Sequence, residues 1–210
     1  MSKNQKEEDV MKVITLGETD VGKTSIIKRY INNIFDEKAF STCGLNFTFK
    51  KVKLKNGKSI NIKLIDTAGQ EKYRAIVKSY FKNVDAVLFV FSLENKESFD
   101  YMTDWINLFN ENHNGKEGIP RYLIGNKADK EKKVQKEEID DFLNKNKIKY
   151  YETSAKNNTG IDELFQELSE DLYKMLVETG GNNMPQNTQK ISNYKRKKQK
   201  SDCICAVKQG

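Results

Sequence analysis

The chain has 210 residues, of which 37% are hydrophobic and 32% are charged, and its formal net charge is +7. This length fits one domain with a core of its own, and no apolar run approaches the roughly 20 residues that a membrane-spanning helix needs. The N-terminus lacks the apolar stretch of a signal peptide, and three cysteines are too few for a disulfide framework. The composition therefore favours a cytosolic protein.

Positive charge is concentrated near the C-terminus. Residues 179–210 contain seven basic residues and one acidic residue, Asp202, which gives this segment a net charge of +6. The segment is polar and has no apolar periodicity, so we expect a disordered tail. Its charge indicates an anionic partner for the tail alone, such as a membrane surface. We therefore predict a flexible N-terminus (1–9), one folded domain (10–178) and a membrane-targeting tail (179–210).

Strands and helices alternate along the folded domain. Hydrophobic patterns predict strands at Val10–Leu16, 47–54, 59–65, 84–91, 121–125 and Lys149–Glu152. Helical periodicity predicts helices at 24–34, 99–110, Lys136–Asn146 and 161–177. Asn56-Gly57 separates the second and third strands and predicts an antiparallel hairpin with a tight turn. This alternation indicates an α/β fold with a mainly parallel sheet.

The first predicted strand leads into a glycine-rich loop and then a helix. Residues 17–24 match G-x-x-x-x-G-K-[ST], a pattern whose backbone amides wrap around phosphate groups. Lys23 is placed to reach the β and γ phosphates, and Thr24 is placed to offer its hydroxyl to Mg²⁺. The candidate phosphate-binding residues are Gly17, Glu18, Thr19, Asp20, Val21, Gly22, Lys23, Thr24 and Ser25.

A polar loop follows the third predicted strand. Asp66, at the end of that strand, can hold Mg²⁺ in the manner of a Walker-B aspartate. Gly69 permits a close approach of the backbone to the γ-phosphate. Gln70 can orient a water molecule for attack on that phosphate. This loop therefore supplies candidate metal-binding and catalytic residues.

Two later loops have the chemistry to bind guanine. A single carboxylate, that of Asp129, can accept two parallel hydrogen bonds from the guanine edge, which adenine cannot supply. A backbone amide in the loop after the last strand can meet the guanine oxygen. The candidate base-binding residues are Asn126, Lys127, Asp129, Ser154, Ala155 and Lys156.

In their order and spacing these motifs resemble those of the Ras superfamily of small GTPases, and most closely its Rab branch. The resemblance covers about residues 10–177. It implies six mostly parallel strands flanked by about five helices, GTP or GDP with Mg²⁺ as cofactors, and GTP hydrolysis that is slow without an activating protein. The Rab branch is favoured by the run 41–47, Tyr73-Arg74, Tyr80-Phe81, Trp105 and the cysteines of the tail.

The resemblance also implies roles for single residues. Thr42 would grip Mg²⁺ and the γ-phosphate in the GTP state alone, and Phe35 would pack against the guanine. Gly69 would sense the γ-phosphate through its amide, and Gln70 would position the water. The implied catalytic residues are Gln70, Lys23 and Thr42, and the implied metal ligands are Thr24, Thr42 and Asp66.

Three residues depart from the family pattern. Asp20 stands where a small residue is usual, Ile65 stands where Rab proteins carry a tryptophan, and Cys43 replaces an isoleucine. Phe47 and Tyr80 match the other two members of an apolar cluster that faces effectors, so we expect that surface in altered form. A carboxylate at position 20 should repel phosphate and speed nucleotide release. The alternative is that Asp20 points to solvent and pairs with a lysine.

The tail resembles the prenylated endings of Rab proteins. Cys203 and Cys205 are the candidate lipidation sites, although five residues follow the second cysteine. Stable anchoring takes two lipid chains, or one chain with a polybasic patch. The resemblance then implies a monomer that cycles from the cytoplasm onto the cytosolic face of membranes in vesicle trafficking. Its implied partners are an exchange factor, an activating protein, effectors at the two switch regions and prenyl-chaperone proteins.

Three other functions stay open from the sequence. The chain fits a small GTPase of another Ras-superfamily branch in signalling, or a GTP-binding scaffold that does not cycle. The third is a nucleic-acid binder with a basic tail. Tyr194 is the one aromatic residue in the tail, so the tail offers little stacking on nucleic-acid bases. We therefore expect no nucleic-acid partner.

Overall fold

The structure is a computed structural model that describes residues 10–38, 42, 44–69, 77–115 and 118–178. The described strands are β1 (Val10–Leu16), β2 (Leu45–Lys53), β3 (Ser59–Thr67), β4 (Ala86–Ser92), β5 (Arg121–Asn126) and β6 (Lys149–Glu152). The described helices are α1 (Lys23–Asn32), α2 (Lys96–Asp100), α3 (Met102–Asn112), α4 (Lys136–Asn146) and α5 (Ile161–Glu178). None of these helices combines the length and the apolar content that crossing a membrane requires.

The six strands form one sheet in the order β2-β3-β1-β4-β5-β6. All neighbouring pairs are parallel except β2 and β3, which form an antiparallel hairpin. The predicted six-stranded, mostly parallel sheet is therefore confirmed. Because β1 lies near the centre of a parallel sheet, its C-terminal end opens at the edge where such folds bind ligands.

The burial of each strand explains its place in the sheet. All seven residues of β4 are buried, as expected for a central strand covered by helices on both faces. On β2 the side chains alternate instead, and Val52 is buried while its neighbours Lys51 and Lys53 are exposed. Gly57 closes the hairpin turn with a φ of 82°, a conformation that glycine adopts without strain.

Two helices begin with side-chain caps that the sequence encodes locally. Asn95 accepts a hydrogen bond from the backbone amide of Ser98 at the start of α2. Gln135 and Glu138 form a capping box at the start of α4. The helix predicted at 99–110 begins earlier than expected, since this Asn95 cap starts α2 at Lys96. The structure also divides the segment into α2 and α3.

Candidate functional site

The loop between β1 and α1 is shaped by two glycines that no other residue could replace. Gly17 has a φ of 146°, and a Cβ there would lie 2.0 Å from the carbonyl oxygen of Val90 on β4. Gly22 has a φ of 94°, and its Cβ would lie 2.2 Å from Nδ2 of Asn126. The backbone can therefore curl tightly over the end of β1, as a loop that binds phosphate through its amides requires.

Lys23 is the buried cation of this loop. Its Nζ donates to the carbonyl oxygens of Gly17 and Glu18, at 2.8 and 2.7 Å. Burial lowers the pKa of Lys23 to about 8, and the nearby Asp66 carboxylate acts in the opposite direction. An ammonium group held over a loop of amides fits the recognition of a polyphosphate.

Three predicted metal ligands from separate parts of the chain meet beside Lys23. The Thr24 hydroxyl donates to Oδ2 of Asp66 at 2.7 Å and lies 2.5 Å from the hydroxyl of Thr42. The second carboxylate oxygen of Asp66 is buried and has no hydrogen-bond partner among the described residues, and burial raises the pKa of this carboxyl group. A carboxylate and two hydroxyls in one place, with one carboxylate oxygen unsatisfied, fit Mg²⁺, which prefers oxygen ligands.

The second polar loop lies directly against the glycine-rich loop. A Cβ on Gly69 would come within 2.3 to 2.5 Å of backbone atoms of Glu18 and Thr19. A side chain at this position would therefore separate the two loops. Gln70, the predicted water-positioning residue, lies outside the described residues, as do the neighbouring residues 71–76 and Cys43.

The predicted base-binding loops are tied to the glycine-rich loop and to each other. The Asn126 amide donates to the carbonyl oxygen of Val21 at 2.9 Å, and its own oxygen accepts from the Thr153 hydroxyl at 3.1 Å. The Ser154 hydroxyl donates to Oδ1 of Asp129 at 2.5 Å. These bonds hold the Asp129 carboxylate beside the loop that contains Ser154, as the binding of a purine edge requires.

Lys127 carries two ion pairs at the edge of this arrangement. Its Nζ lies 2.8 Å from Glu94, in the loop after β4, and 3.2 Å from Asp20. The Asp20 side chain is 90% exposed. The structure therefore matches the alternative for Asp20, a solvent-facing carboxylate paired with a lysine. Asp20 and Lys127 both have φ values of 62°, so each end of the pair sits on left-handed backbone.

Comparison with known proteins identifies the family. The model of the Ras family matches residues 12–174. The chain belongs to the Ras family. It is 33% identical to the Ras-related protein Rab-13 of Bos taurus over 180 residues, which are 85% of this chain and 86% of that one. It is 31% identical to the Ras-related protein Rab-18 of Lymnaea stagnalis over 200 residues, 94% of this chain and 96% of that one.

These relatives confirm the predicted Ras-superfamily small GTPase close to Rab. The Ras family consists of GTPases, which supports the binding of GTP and GDP and the hydrolysis of GTP by this chain. Rab-like GTPases work with exchange factors, activating proteins and effectors, and they cycle on the cytosolic face of membranes. Cys203, Cys205 and the rest of the predicted tail lie outside the described residues, as does the predicted N-terminus 1–9.

The remaining predicted site residues lie around the same loops. Ser25 is half-buried in the first turn of α1, and Phe35 is half-buried after that helix. Ala155 is buried, and the exposed Lys156 pairs with Glu37 at 3.0 Å. The described members of the predicted set thus converge on one end of the sheet, although no contact that we describe links Phe35 to the base-binding loops.

The aromatic surface expected on this Rab-like domain is present in altered form. The rings of Phe47 and Tyr80 have centroids 5.6 Å apart, and Phe47 is exposed. Ile65 is the cross-strand partner of Phe47, but it is buried in the core rather than displayed on the surface. The replacement of tryptophan by isoleucine therefore leaves two aromatic residues of the cluster at the surface.

The sequence did not point to several residues that hold the site together. Arg29 on α1 donates to the carbonyl oxygens of Ala155 and Lys156, at 2.8 and 3.1 Å. Trp105 on α3 donates through Nε1 to the Glu18 carboxylate at 2.8 Å. Trp105 is typical of the Rab branch. No local pattern marks Arg29, because its partners lie more than a hundred residues away.

Proposed function

We propose that this Ras-family chain is a Rab-type switch whose GTP and GDP states are distinguished at Thr42. The observation that carries the proposal is the meeting of Thr42, Thr24 and Asp66. Thr42 precedes β2 on a segment separate from the glycine-rich loop, yet its hydroxyl lies within hydrogen-bond distance of Thr24. A ligand held at Thr24 therefore acts on the segment around Thr42.

Phosphate and metal binding follow from the same contacts. Thr24, Thr42 and Asp66 would hold Mg²⁺, which would neutralise charge on the β and γ phosphates. The Lys23 ammonium and the amides of residues 17–24 would stabilise the charge that develops on the transferred phosphoryl group. Gln70 would orient the attacking water. Among the described site residues, no arginine is placed to supply a second positive charge to the transferred phosphoryl group. This fits hydrolysis that is slow without an activating protein.

Guanine recognition would rest on Asp129. Its Oδ1 is engaged by Ser154, which fixes the plane of the carboxylate. Asn126 would hold the base loop against the glycine-rich loop through Val21, so that base and phosphates are bound by one connected scaffold. Lys127 would help to hold the base, with its ammonium anchored by Glu94 and Asp20.

The trafficking role rests on the Rab relatives and on the tail. We infer that one or both of Cys203 and Cys205 receive a prenyl group, with prenyl-chaperone proteins carrying the lipid in the cytoplasm. The basic residues of the tail would add electrostatic attraction to an anionic leaflet. Specific exchange factors, activating proteins and effectors would act at the segments that contain Thr42 and Gln70, on a monomeric chain without a nucleic-acid partner.

A single-turnover assay of GTP hydrolysis tests the switch against a scaffold that does not cycle. The parent should convert bound GTP to GDP slowly, and Gln70→Leu should keep its GTP affinity while losing most of this conversion. Thr24→Asn should favour the GDP-bound or empty state. Hydrolysis by Gln70→Leu at the parent rate, with or without an activating protein, would show that Gln70 does not position the water.

Intact-mass analysis of the chain from its native cell tests the anchor. One or two isoprenoid additions on the C-terminal peptide are expected. A mass equal to that of the bare polypeptide would rule out prenylation and leave the basic residues of the tail without a lipid anchor.

A further inference from the structure

The end of the β2–β3 hairpin carries a cluster of exposed lysines. We call Lys51, Lys53, Lys55 and Lys58 the hairpin lysines. Lys51 and Lys53 project from the exposed side of β2, and Lys55 and Lys58 lie in the turn. Residues 45–65 contain no aspartate, no glutamate and no arginine. The hairpin end is therefore positively charged without any compensating charge of its own.

This cluster is held on a well-ordered backbone. The amide of Leu54 donates to the carbonyl oxygen of Lys58 at 2.8 Å, and the amide of Gly57 donates to that of Leu54 at 3.0 Å. Leu54 is buried beneath the turn. These bonds keep the Cα atoms of the four lysines close together at one end of the domain.

The hairpin lysines differ from many other lysines of the domain. Among the described residues, none of the four makes an ion pair, although lysines elsewhere do. The lysines in ion pairs are Lys96, Lys127, Lys130, Lys132, Lys149, Lys156 and Lys174. Four neighbouring cations that make no ion pair with a described residue form an electrostatic surface that an external anion can match.

The cluster lies beside the helix from which the tail continues. The amide of Lys55 donates to Glu170 on α5 at 2.8 Å, and the Nζ of Lys58 lies 5.4 Å from the centre of the Tyr173 ring. Tyr173 is five residues before the end of α5, about 7.5 Å along the helix axis. In the sequence, the basic segment 179–210 therefore comes directly after a helix that ends near the hairpin lysines.

We propose that the hairpin lysines form a second contact with an anionic lipid bilayer, in addition to the contact of the tail. The inference rests on the proposed membrane attachment of the tail. Lysines without arginine favour diffuse attraction to many headgroups over recognition of one fixed phosphate or carboxylate. β1 begins at this end, where Val10 pairs with Asn61, and it ends at the glycine-rich loop. Contact at the hairpin thus leaves the nucleotide site facing the cytoplasm.

Vesicle binding by the full chain without lipid tests this contact. The hairpin variant is Lys51→Gln/Lys53→Gln/Lys58→Gln; Lys55 stays because its amide meets a carboxylate of α5. The matched control, Lys136→Gln/Lys145→Gln/Lys147→Gln, removes three exposed charges from the two ends of α4, the helix before β6, and β6 forms the opposite edge of the sheet. Binding is measured by co-sedimentation with phosphatidylcholine vesicles, with and without phosphatidylserine, over a series of salt concentrations.

The hairpin variant should bind phosphatidylserine vesicles at least tenfold more weakly than the parent, since each lysine near such a surface contributes about fivefold. The control should stay within about twofold of the parent. Equal binding by the hairpin variant and the control would overturn the proposal, and the lysines would then serve a protein or nucleic-acid partner.

A tail variant separates this inference from the proposed role of the tail. Lys195→Gln/Arg196→Gln/Lys197→Gln neutralises three charges outside the described residues. If this variant binds as the parent does while the hairpin variant is weakened, the tail proposal fails and the hairpin contact stands. If the tail variant alone is weakened, the hairpin contact is wrong and the tail proposal stands.

Discussion

The nucleotide loops and the hairpin end both carry several lysines, but only the loops provide partners for them. Lys23 is held by two carbonyl oxygens, and Lys127 by the carboxylates of Glu94 and Asp20. The hairpin lysines make no ion pair with any described residue. Where the chain supplies the counter-charge, it prepares a site of fixed geometry for one ligand. Where it does not, the charge is available to a surface.

The backbone shows the same difference. Around the nucleotide loops, Gly17, Asp20, Gly22 and Lys127 all have positive φ values. At the hairpin end the turn glycine, Gly57, is the single described residue with this conformation. Unusual backbone is costly and persists where the surrounding contacts enforce it. The nucleotide loops therefore combine constrained backbone with paired charges, and the hairpin has neither.

The largest effect is expected when the unsatisfied carboxylate of the site is removed. Asp66→Asn should lower the Mg²⁺-dependent gain in GDP affinity by roughly 100-fold, because a neutral amide is a poor ligand for Mg²⁺. GDP dissociation is measured with Mg²⁺ and with a chelator. Asp104→Asn, in the exposed first turn of α3, is the control and should behave as the parent. A full Mg²⁺ effect in Asp66→Asn would contradict the metal site.

A smaller loss should follow from changing the base-binding carboxylate. Asp129→Asn should weaken GDP binding by roughly 10- to 100-fold, since charged hydrogen bonds contribute about 1.5–3 kcal/mol. It should also improve binding of xanthosine nucleotides, because the amide presents a donor where guanine needs an acceptor. Competition between the two nucleotides measures both changes. An unchanged preference for guanine would remove Asp129 from the base site.

Removing either ion pair of Lys127 should have a smaller effect, and the two pairs should contribute unequally to the rate of GDP release. Glu94→Gln should speed GDP release roughly two- to fivefold, because the partly buried Glu94 fixes the ammonium more firmly than the exposed Asp20 does. Asp20→Asn should change release less than about twofold, since it keeps the side-chain shape and a residue type that tolerates left-handed backbone. Asp20→Gly alters both charge and backbone, so it is the weaker test.

The opposite ranking would restore the like-charge explanation for Asp20. If repulsion between Asp20 and the phosphates dominates, Asp20→Asn should slow GDP release, and Glu94→Gln should have little effect. Stopped-flow measurement of a fluorescent GDP analogue, at low and high salt, separates the two explanations.

The smallest effect is expected from the unpaired charges of the hairpin. The variant Lys51→Gln/Lys53→Gln/Lys58→Gln should keep its free energy of unfolding within about 1 kcal/mol of the parent, because the described contact that it loses is the exposed cation–π contact of Lys58 with Tyr173. At low salt it should be slightly more stable, since repulsion among like charges is relieved. A loss of more than about 1 kcal/mol in denaturant unfolding would show that the hairpin lysines are paired after all.

Local patterns were enough to predict much of the fold. The bounds of β1, α4 and β6 agree with the sequence predictions to the residue. For α4 a local signal marks the start, since the Gln135 capping box precedes the helix. β2 was expected to begin at Phe47 but begins at Leu45, because pairing with Thr67 on β3 extends the ladder. That extension depends on a partner strand, so the start of β2 cannot be predicted from its own sequence.

The candidate site was predictable where one motif holds neighbouring residues, and not where distant residues meet. The glycine-rich loop could be recognised alone, and the 126–129 loop could be recognised beside it and the 66–71 loop. Contacts between Arg29 and Ala155, or Lys127 and Glu94, join residues 126 and 33 positions apart. These contacts depend on the packing of whole elements. The pairing of Asp20 with Lys127 could be offered only as an alternative for the same reason.

Trp105 gives the chain an internal optical reporter. It is the one tryptophan of the sequence, it is almost fully buried, and its indole nitrogen donates to Glu18 within the glycine-rich loop. Indole emission depends on the polarity and hydrogen bonding around the ring. All tryptophan fluorescence of the unlabelled chain therefore originates beside the phosphate-binding loop, where the exchange of one nucleotide for another can be followed without a dye.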